Sequence, residues 1–216
     1  MSTEKNELSV TELGNPAKPN GKAGKEMLRR MGKSHSSVTE WAFNTIKLNG
    51  SERILDIGCG GGDALKKISG RILSGKLTGV DYSEVSVELS RQNNMNDVNS
   101  GKMNIIKASV DSLPFPDNSF DVIYTIESFY FWGRSTENLR EVRRVLEKNG
   151  TFMIVADIHG ASELSDDAIK NIEKYNLFNP TPTEFRTLLT EAGFEGTEIV
   201  LKAGTSWVCA KGHKYF

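Results

Sequence analysis

Residues 53–62 read Arg53-Ile54-Leu55-Asp56-Ile57-Gly58-Cys59-Gly60-Gly61-Gly62, and this stretch decides the fold of the 216-residue chain. Its first half is an apolar run of strand length, and its second half is a glycine-rich turn. The residues that follow, 63 to about 69, have the pattern of a short helix. A buried strand, a glycine loop and a helix in succession indicate the first unit of an open α/β sheet.

The alternation of strands and helices continues on the C-terminal side of the glycine loop. We predict strands at 77–81, 103–108, 120–125 and 151–157, a helix at 84–93 capped by Ser83, a helix at 136–147 ended by Asn149-Gly150, and a helix from Thr183 to 192. Two final strands, 196–202 and 207–211, are joined tightly and so must be antiparallel. The predicted architecture is a doubly wound, mostly parallel seven-stranded sheet with an antiparallel C-terminal strand and helices on both faces.

The N-terminal region changes character near residue 25. Residues 1–24 contain too few apolar side chains to offset the entropy of ordering, and we predict that they form a mobile arm. From residue 25, apolar side chains recur at helical spacing, and a second helical stretch follows up to Gly50. Helices are therefore expected ahead of the core.

Composition excludes several classes of protein. The 27 basic and 28 acidic residues leave a formal net charge of -1, so no broad positive field is available for a nucleic-acid backbone. No stretch approaches the roughly 20 apolar residues of a membrane span, and we predict no membrane association. The two cysteines, Cys59 and Cys209, show no metal-ligand spacing, so we predict no metal site and a reducing, cytoplasmic location.

Two acidic residues indicate which ligand the glycine loop binds. Asp81 ends the second predicted strand, about 23 residues after Gly58, where a carboxylate can accept both hydroxyls of a ribose. A nicotinamide dehydrogenase would share that feature. Asp56, however, precedes the loop, and an acid there disfavours a pyrophosphate and suits a ligand with an ammonium group. S-adenosylmethionine carries such a group.

Four segments resemble the successive motifs of class I S-adenosylmethionine-dependent methyltransferases, and they occur in the family's order. They are Ile54-Leu55-Asp56-Ile57-Gly58-Cys59-Gly60-Gly61-Gly62, Gly79-Val80-Asp81-Tyr82-Ser83, Leu113-Pro114-Phe115-Pro116-Asp117-Asn118-Ser119-Phe120-Asp121 and Glu141-Val142-Arg143-Arg144-Val145-Leu146. Residues 31–35 and 39–41 resemble the N-terminal cap of small bacterial and archaeal members. The resemblance implies one methyltransferase domain over 25–216, with cap helices at 25–49 and a Rossmann-like core at 50–216.

The resemblance also implies a set of residues that bind the cofactor. Asp56 would hold the methionine ammonium, Asp81 the ribose hydroxyls, and Tyr82 would pack on the adenine. The backbone of Gly58, Cys59 and Gly60 would pass along the methionine and ribose, and Ile126 would lie near the sulfonium. Family members commonly have Gly-Asp-Ala after the third strand, where this chain has Ala108-Ser109-Val110. Ser109 lacks the charge of that Asp, so the adenine contact should depend on Ser109, Val110 and Asp111.

The segment after the fourth predicted strand is the expected reaction face. Glu127 is our first candidate for a catalytic base, and His35 and Tyr130 are the others; alternatively, Glu127 pairs with an arginine or caps the following turn. The run Phe129-Tyr130-Phe131-Trp132 could wall a dry pocket or could simply close the sheet edge. We therefore predict an enzyme that moves a methyl group to a small molecule by in-line displacement and releases S-adenosylhomocysteine.

Three rival functions share parts of this pattern. A noncatalytic, regulatory S-adenosylmethionine-binding protein would keep the loop and Asp81 but have no acceptor pocket. A nicotinamide oxidoreductase is disfavoured by Asp56. A methyltransferase acting on a macromolecule is the third, and the balanced charge and the absence of an Asn-Pro-Pro-aromatic or Asp-Pro-Pro-aromatic tetrad disfavour amino-group methylation of nucleic acids.

Overall fold

A computed structural model of the chain describes residues 13–215. Its strands are β1 (Arg53–Ile57), β2 (Lys76–Asp81), β3 (Met103–Lys107), β4 (Phe120–Ile126), β5 (Leu146–Ala156), β6 (Glu195–Leu201) and β7 (Val208–His213). Its helices are α1 (Gly21–Ser34), α2 (Ser36–Phe43), α3 (Asp63–Ser69), α4 (Glu84–Asn93), α5 (Met95–Asn99), α6 (Thr136–Val145), α7 (Asp166–Tyr175) and α8 (Pro182–Glu191). A 3₁₀ turn spans Phe129–Phe131. Within this described part, no helix is both long enough and apolar enough to cross a membrane.

The strands form one seven-stranded sheet in the order β3-β2-β1-β4-β5-β7-β6. Strands β1 to β5 run parallel to one another, whereas β7 is antiparallel to both β5 and β6. The predicted doubly wound, mostly parallel sheet is confirmed. The direction of winding reverses between β1 and β4, so the crevice at their carboxyl ends is the expected ligand site.

Both faces of the sheet are buried against helices. Along β4, Ile123 packs in one core with Val142 of α6, while Tyr124 packs in the other with Phe43 of α2. The Tyr124 and Phe43 rings meet edge to face with centroids 5.1 Å apart. A strand covered on both sides must be apolar at nearly every position, which explains the continuous apolar runs of β1, β4 and β5.

Two of the predicted helix boundaries are wrong. The helix α6 ends at Val145, and Asn149-Gly150 lies inside β5. The Lys214 ammonium donates to the carbonyls of Arg143, Arg144 and Leu146 at 2.8–3.3 Å, so the helix end needs no glycine cap. The cap of α8 is Thr181, not Thr183, because Thr181 and Glu184 form a capping box around Pro182.

The region before the core differs from the sequence prediction. Residues 1–12 of the predicted arm lie outside the described residues, but α1 already begins at Gly21. The segment before it contacts the core, because the Ser83 hydroxyl donates to the Pro19 carbonyl at 2.6 Å. The second cap helix ends at Phe43, earlier than predicted. The hydrogen bond to Ser83 helps to offset the entropy lost when this polar segment is ordered.

Candidate cofactor and acceptor site

A cleft in two compartments lies at the carboxyl edge of the sheet, at the crevice between β1 and β4. The larger compartment has a volume of about 360 Å³ and extends from the end of β2 to the turn after β4. The smaller, of about 90 Å³, lies between the glycine loop and the cap helices. Glu127, Gly58 and Gly60 line both compartments, so the two are parts of one site.

An acidic residue ends or follows each of four adjacent strands at this edge. Asp81 is the last residue of β2, and Asp56 is the last but one of β1. Glu127 and Asp157 directly follow β4 and β5. Because the carboxyl ends of parallel strands meet at one edge, residues distant in sequence become neighbours around a single cleft.

The glycine loop brings backbone close to this cleft. Gly58, Gly60 and Gly62 all have left-handed φ values, of 75°, 51° and 80°. At Gly62 there is no room for a side chain, since a Cβ would overlap the Ser90 hydroxyl and lie 2.5 Å from the Asn94 amide nitrogen. The loop therefore turns tightly from β1 into α3, as the sequence predicts.

Asp81 is fixed by backbone hydrogen bonds at the end of β2. Its two carboxylate oxygens accept from the amides of Gly60, at 3.0 Å, and Ser83, at 2.9 Å. The side chain is buried, and this desolvation raises its pKa despite the two amides. An ionised carboxylate retains further lone pairs, so Asp81 can still accept hydrogen bonds from a ligand in the larger compartment.

Asp56 is a buried carboxylate with incomplete hydrogen bonding. It lines the smaller compartment, and its Oδ2 has no hydrogen-bond partner within residues 13–215. Burial raises its pKa well above the usual range, and the neighbouring Tyr124 hydroxyl, itself unpaired among these residues, offsets only part of that shift. A buried acid in this condition is suited to a cationic hydrogen-bond donor.

The opposite end of the larger compartment is lined by Tyr82, Ser109, Val110 and Asp111. Tyr82 is 40% exposed, and the Lys18 ammonium lies 5.7 Å from its ring centroid. The N-terminal segment adds walls that the sequence did not predict, from Pro16, Ala17 and Pro19.

Glu127 is the centre of a buried polar cluster between the two compartments. Its backbone has a left-handed φ of 55°, which is uncommon for a residue with a side chain. Its carboxylate accepts from the Tyr130 hydroxyl and from the Asp157 amide, each at 2.5 Å. The His35 Nε2 lies 3.8 Å from the same carboxylate. Among residues 13–215, Glu127 thus neither pairs with an arginine nor caps a turn.

The cluster has an unusual distribution of charge. Burial, and next the charge of Asp157, raise the pKa of Glu127 well above its usual value. Burial also lowers the pKa of His35 from its ordinary value, and the charge of Asp157 opposes only part of that shift. Donor atoms of His35, Glu127 and Asp157 lie within 4.8 Å of one another, a spacing that the sequence did not reveal.

Only part of the aromatic run faces the cleft. Phe131 and Trp132 line the larger compartment, as one of the two interpretations predicts. Phe129 is in the core instead, where its ring contacts Phe185 at a centroid distance of 5.7 Å. Tyr130 reaches the site through its hydroxyl rather than its ring. Because residues 129–131 form a 3₁₀ turn, successive side chains point in different directions, some to the core and some to the cleft.

Comparisons with known proteins agree with this geometry. The methyltransferase domain family matches residues 55–154, which include the glycine loop, Asp81 and Glu127. An O-methyltransferase of Penicillium expansum is 29% identical over 152 residues, which is 68% of this chain and 54% of the relative. Over these residues the chain is similar to S-adenosylmethionine-dependent methyltransferases. It spans about half the length of that fungal relative.

Two solved methyltransferase structures show how widely the fold is shared. One is the methyltransferase in complex with the Trm112 activator from Haloferax volcanii, with a TM-score of 0.75, 17% identity, and coverage of 90% of this chain and 95% of that one. The other is human N-acetylserotonin methyltransferase bound to S-adenosylmethionine, with a TM-score of 0.73, 15% identity and coverage of 90% and 56%. At these identities the likeness establishes the fold alone.

The residues present fit the cofactor of this family, S-adenosylmethionine. The unpaired Asp56 oxygen offers an acceptor to an ammonium group, and Asp81 offers one to ribose hydroxyls. The volume of about 360 Å³ is in the range of sites that enclose small molecules. Among the predicted cofactor residues, Cys59 and Ile126 line the smaller compartment.

Asp157 is the polar residue that sequence reasoning missed. It follows β5 as Glu127 follows β4, and an acid after each of four strands was a signal that could have identified it. The two histidines without a predicted role have structural ones: the His159 ring accepts from the Ala161 amide at 3.3 Å, and the His213 ring contacts the Thr151 hydroxyl at 3.1 Å.

Proposed function

We propose that this chain transfers the methyl group of S-adenosylmethionine to a small-molecule acceptor. The observation that carries the proposal is the position of Glu127, a buried carboxylate that lines both compartments of the cleft. One compartment has the features expected around the methionine part of the cofactor. The other continues past Glu127 to Phe131 and Trp132, where an acceptor would bind.

The cofactor would be held by residues at the ends of four strands, β1 to β4. Asp56 would accept from its ammonium group and Asp81 from its ribose. Tyr82 would pack on the adenine, with Ser109, Val110 and Asp111 at its edge. The backbone of residues 58–60 and of Ile126 would lie along the part of the cofactor between its ammonium group and its adenine. Bound there, the cofactor would supply a methyl group on a positively charged sulfur, ready for in-line displacement.

The remaining requirement is to orient the acceptor and accept its proton. We assign proton acceptance to Glu127, because a raised pKa brings a carboxylate closer to the basicity that this task needs. Tyr130 and His35 are positioning residues in this scheme: the hydroxyl donates to Glu127, and the imidazole lies beside it. Alignment alone can contribute roughly 7–11 kcal/mol to such a reaction.

The rival functions are less well supported. A regulatory protein that only binds the cofactor would not need a buried acid and aromatic walls beside it. The likeness to a methyltransferase in complex with the Trm112 activator concerns the fold and names no macromolecular acceptor. The concave larger compartment, of about 360 Å³, favours the small molecule. The cytoplasmic location stays a prediction from two free, buried cysteines.

The test combines cofactor binding with a screen of acceptors. Calorimetry should show S-adenosylmethionine binding to the wild-type chain, and a panel of small-molecule amines, alcohols, thiols and acidic carbons should yield S-adenosylhomocysteine with at least one member. Glu127→Gln should lower kcat at least a hundredfold while the cofactor Kd changes less than threefold. Glu163→Gln, at an exposed loop residue, is the matched control and should behave as wild type.

Two outcomes would contradict the proposal. Cofactor binding without turnover by any acceptor, in a folded protein, would favour the regulatory alternative. Full activity of Glu127→Gln would show that Glu127 does not accept the proton, and the rate of methyl transfer would then depend on alignment of the acceptor with the methyl group.

A further inference from the structure

Two of the four acids at the strand ends take no part in the proposed binding of the cofactor. Asp81 and Asp56 face the parts of the cleft that suit the ribose and the ammonium. Glu127 and Asp157 lie at the other side of the switch point, on β4 and β5, with donor atoms within 4.8 Å of each other. Two carboxyl groups this close are costly to ionise together unless a cation offsets them.

The walls of the cleft carry no fixed positive charge of their own. Within the part of the chain that the structure describes, five acids line the two compartments, and no lysine or arginine does: Asp56, Asp63, Asp81, Asp111 and Glu127. Lys18 lies against Tyr82 at the far end of the larger compartment, with its ammonium 5.7 Å from the ring centroid. The cofactor itself carries a net charge of only +1. An anionic acceptor would therefore meet uncompensated repulsion, whereas a cationic one would be attracted.

The acceptor end also has aromatic walls. Phe131 and Trp132 line the same compartment as Glu127, and aromatic faces attract cations when they lie within about 6 Å. A carboxylate beside aromatic rings is a typical arrangement for holding an ammonium group, because charge, hydrogen bonding and dispersion act together.

We propose that the acceptor is an amine, which binds as its ammonium ion between the Glu127–Asp157 carboxyl pair and the rings of Phe131 and Trp132. The inference rests on the proposed methyl transfer and names its substrate class. Glu127 contacts the ammonium in this scheme. Asp157 is a positioning residue, since its amide donates to Glu127 and its carboxylate adds negative charge beside it.

The chemical step balances with these groups alone. An N–H bond of the ammonium breaks and its proton passes to the Glu127 carboxylate, which frees the nitrogen lone pair. That pair forms the N–C bond to the methyl group while the C–S bond breaks, and its electrons stay on sulfur. The products are the N-methylated ammonium ion, which keeps the remaining positive charge, and the neutral thioether, with the abstracted proton on Glu127 for release to water.

The experiment uses two matched sets of ligands on the full-length chain saturated with S-adenosylhomocysteine. One set is 2-phenylethylamine, 2-phenylethanol and phenylacetate; the other is tryptamine, tryptophol and indole-3-acetate. We expect calorimetry to show each amine binding at least tenfold more tightly than its alcohol, with the carboxylate weakest. With S-adenosylmethionine, mass spectrometry should locate the new methyl group on nitrogen.

Variants connect the preference to the carboxyl pair. Glu127→Gln and, separately, Asp157→Asn should weaken amine binding at least tenfold and change alcohol binding less than threefold. Glu163→Gln should change neither. Using two isosteric variants keeps the test valid if one of them fails to fold, which thermal unfolding would reveal.

The overturning results are distinct from a failure of the proposed function. Equal binding of amine and alcohol, or no binding in either set, would overturn the amine assignment even if S-adenosylmethionine binds and another acceptor is methylated. Titration with Mn²⁺ is the last arm, because His35, Glu127 and Asp157 also have the donor types of a metal site. If Mn²⁺ binds with a micromolar Kd and Glu127→Gln abolishes that binding, the site is a metal site rather than an ammonium site, and the proposal is overturned.

Discussion

Replacing Asp56 with asparagine should stabilise the protein and weaken its hold on the cofactor at the same time. The Asp56 carboxylate is buried, and its Oδ2 has no hydrogen-bond partner among residues 13–215. Asparagine has nearly the same shape without the charge. The cofactor-free protein would lose a buried anion, and the cofactor-bound protein would lose the acceptor for an ammonium group.

The magnitude follows from the state of that oxygen. An unsatisfied buried polar group costs about 1–3 kcal/mol and a charged one more; because the asparagine amide still leaves a neutral polar atom there, Asp56→Asn should raise the free energy of unfolding by the difference, on the order of 1 kcal/mol. Because one kcal/mol corresponds to about 2–4 °C at this chain length, the melting temperature should rise by several degrees. The lost charge-assisted hydrogen bond is worth about 1.5–3 kcal/mol, or a roughly 10- to 150-fold larger Kd for S-adenosylmethionine.

The gain in stability should depend on pH. Burial raises the pKa of Asp56 in the folded protein, so the folded state holds its proton more tightly than the unfolded state does. Wild-type stability from this group is therefore highest below about pH 4, where both states are protonated, and falls as pH rises towards the folded pKa. The difference between Asp56→Asn and wild type should widen from pH 5 to pH 8.

Urea unfolding at pH 5 and pH 8 measures the stability, and calorimetry measures the Kd. Asp167→Asn is the matched control, because that carboxylate is 85% exposed on α7. Lower stability of Asp56→Asn at pH 8, or an unchanged Kd, would refute the reasoning: the first would mean that the carboxylate is well solvated, and the second that no cation contacts it.

Three further perturbations test other parts of the structure. Asp81→Asn should raise the cofactor Kd at least tenfold by calorimetry, because one of its two backbone amides would face an NH₂ group and the charge towards the ribose is lost; an unchanged Kd would sink the ribose assignment. Gly62→Ala should lower the free energy of unfolding, measured in urea, by more than about 2 kcal/mol. Gly101→Ala is the control, because Gly101 has a similar φ of 71° but nothing lies within 4 Å of the added Cβ, and it should cost only about 1 kcal/mol. Equal costs would show that crowding at Gly62 is unimportant. Phe129→Ala should cost about 3–5 kcal/mol of unfolding free energy, because the ring is 3% exposed in the core, and a cost below 1 kcal/mol would contradict that packing.

Much of the cofactor end of the site could be predicted from sequence because its residues are local to their strands. Asp56 and Asp81 end or nearly end β1 and β2, and the glycine loop joins β1 to α3 without interruption. Strand polarity then places all of them at one edge, whatever the details of packing. Helix α4 and its Ser83 cap were predictable for the same reason, since the Ser83 hydroxyl bonds the amide of Ser86 three residues on.

The errors have a common physical cause: a distant part of the chain supplied what the local sequence lacked. The end of α6 looked as if it needed Asn149-Gly150, but Lys214, some 70 residues away, satisfies its carbonyls. Residues near Pro19 looked too polar to order, but the buried Ser83 hydroxyl holds the Pro19 carbonyl in place. Neither partner can be read from a local pattern.

The sequence by itself determined the alternating fold, the glycine loop and the two acids beside it, because these depend on periodicity and on residues a few positions apart. Only the tertiary structure decided the acceptor end. His35, Glu127 and Asp157 come from the cap and from the ends of two strands, and no spacing in the sequence foretells that their donor atoms lie within 4.8 Å. The direction of each aromatic side chain was decided in the same way, since Phe129 and Phe131 are two residues apart and one lies in the core while the other lines the cleft. Packing competition among distant elements, rather than local preference, settles such choices.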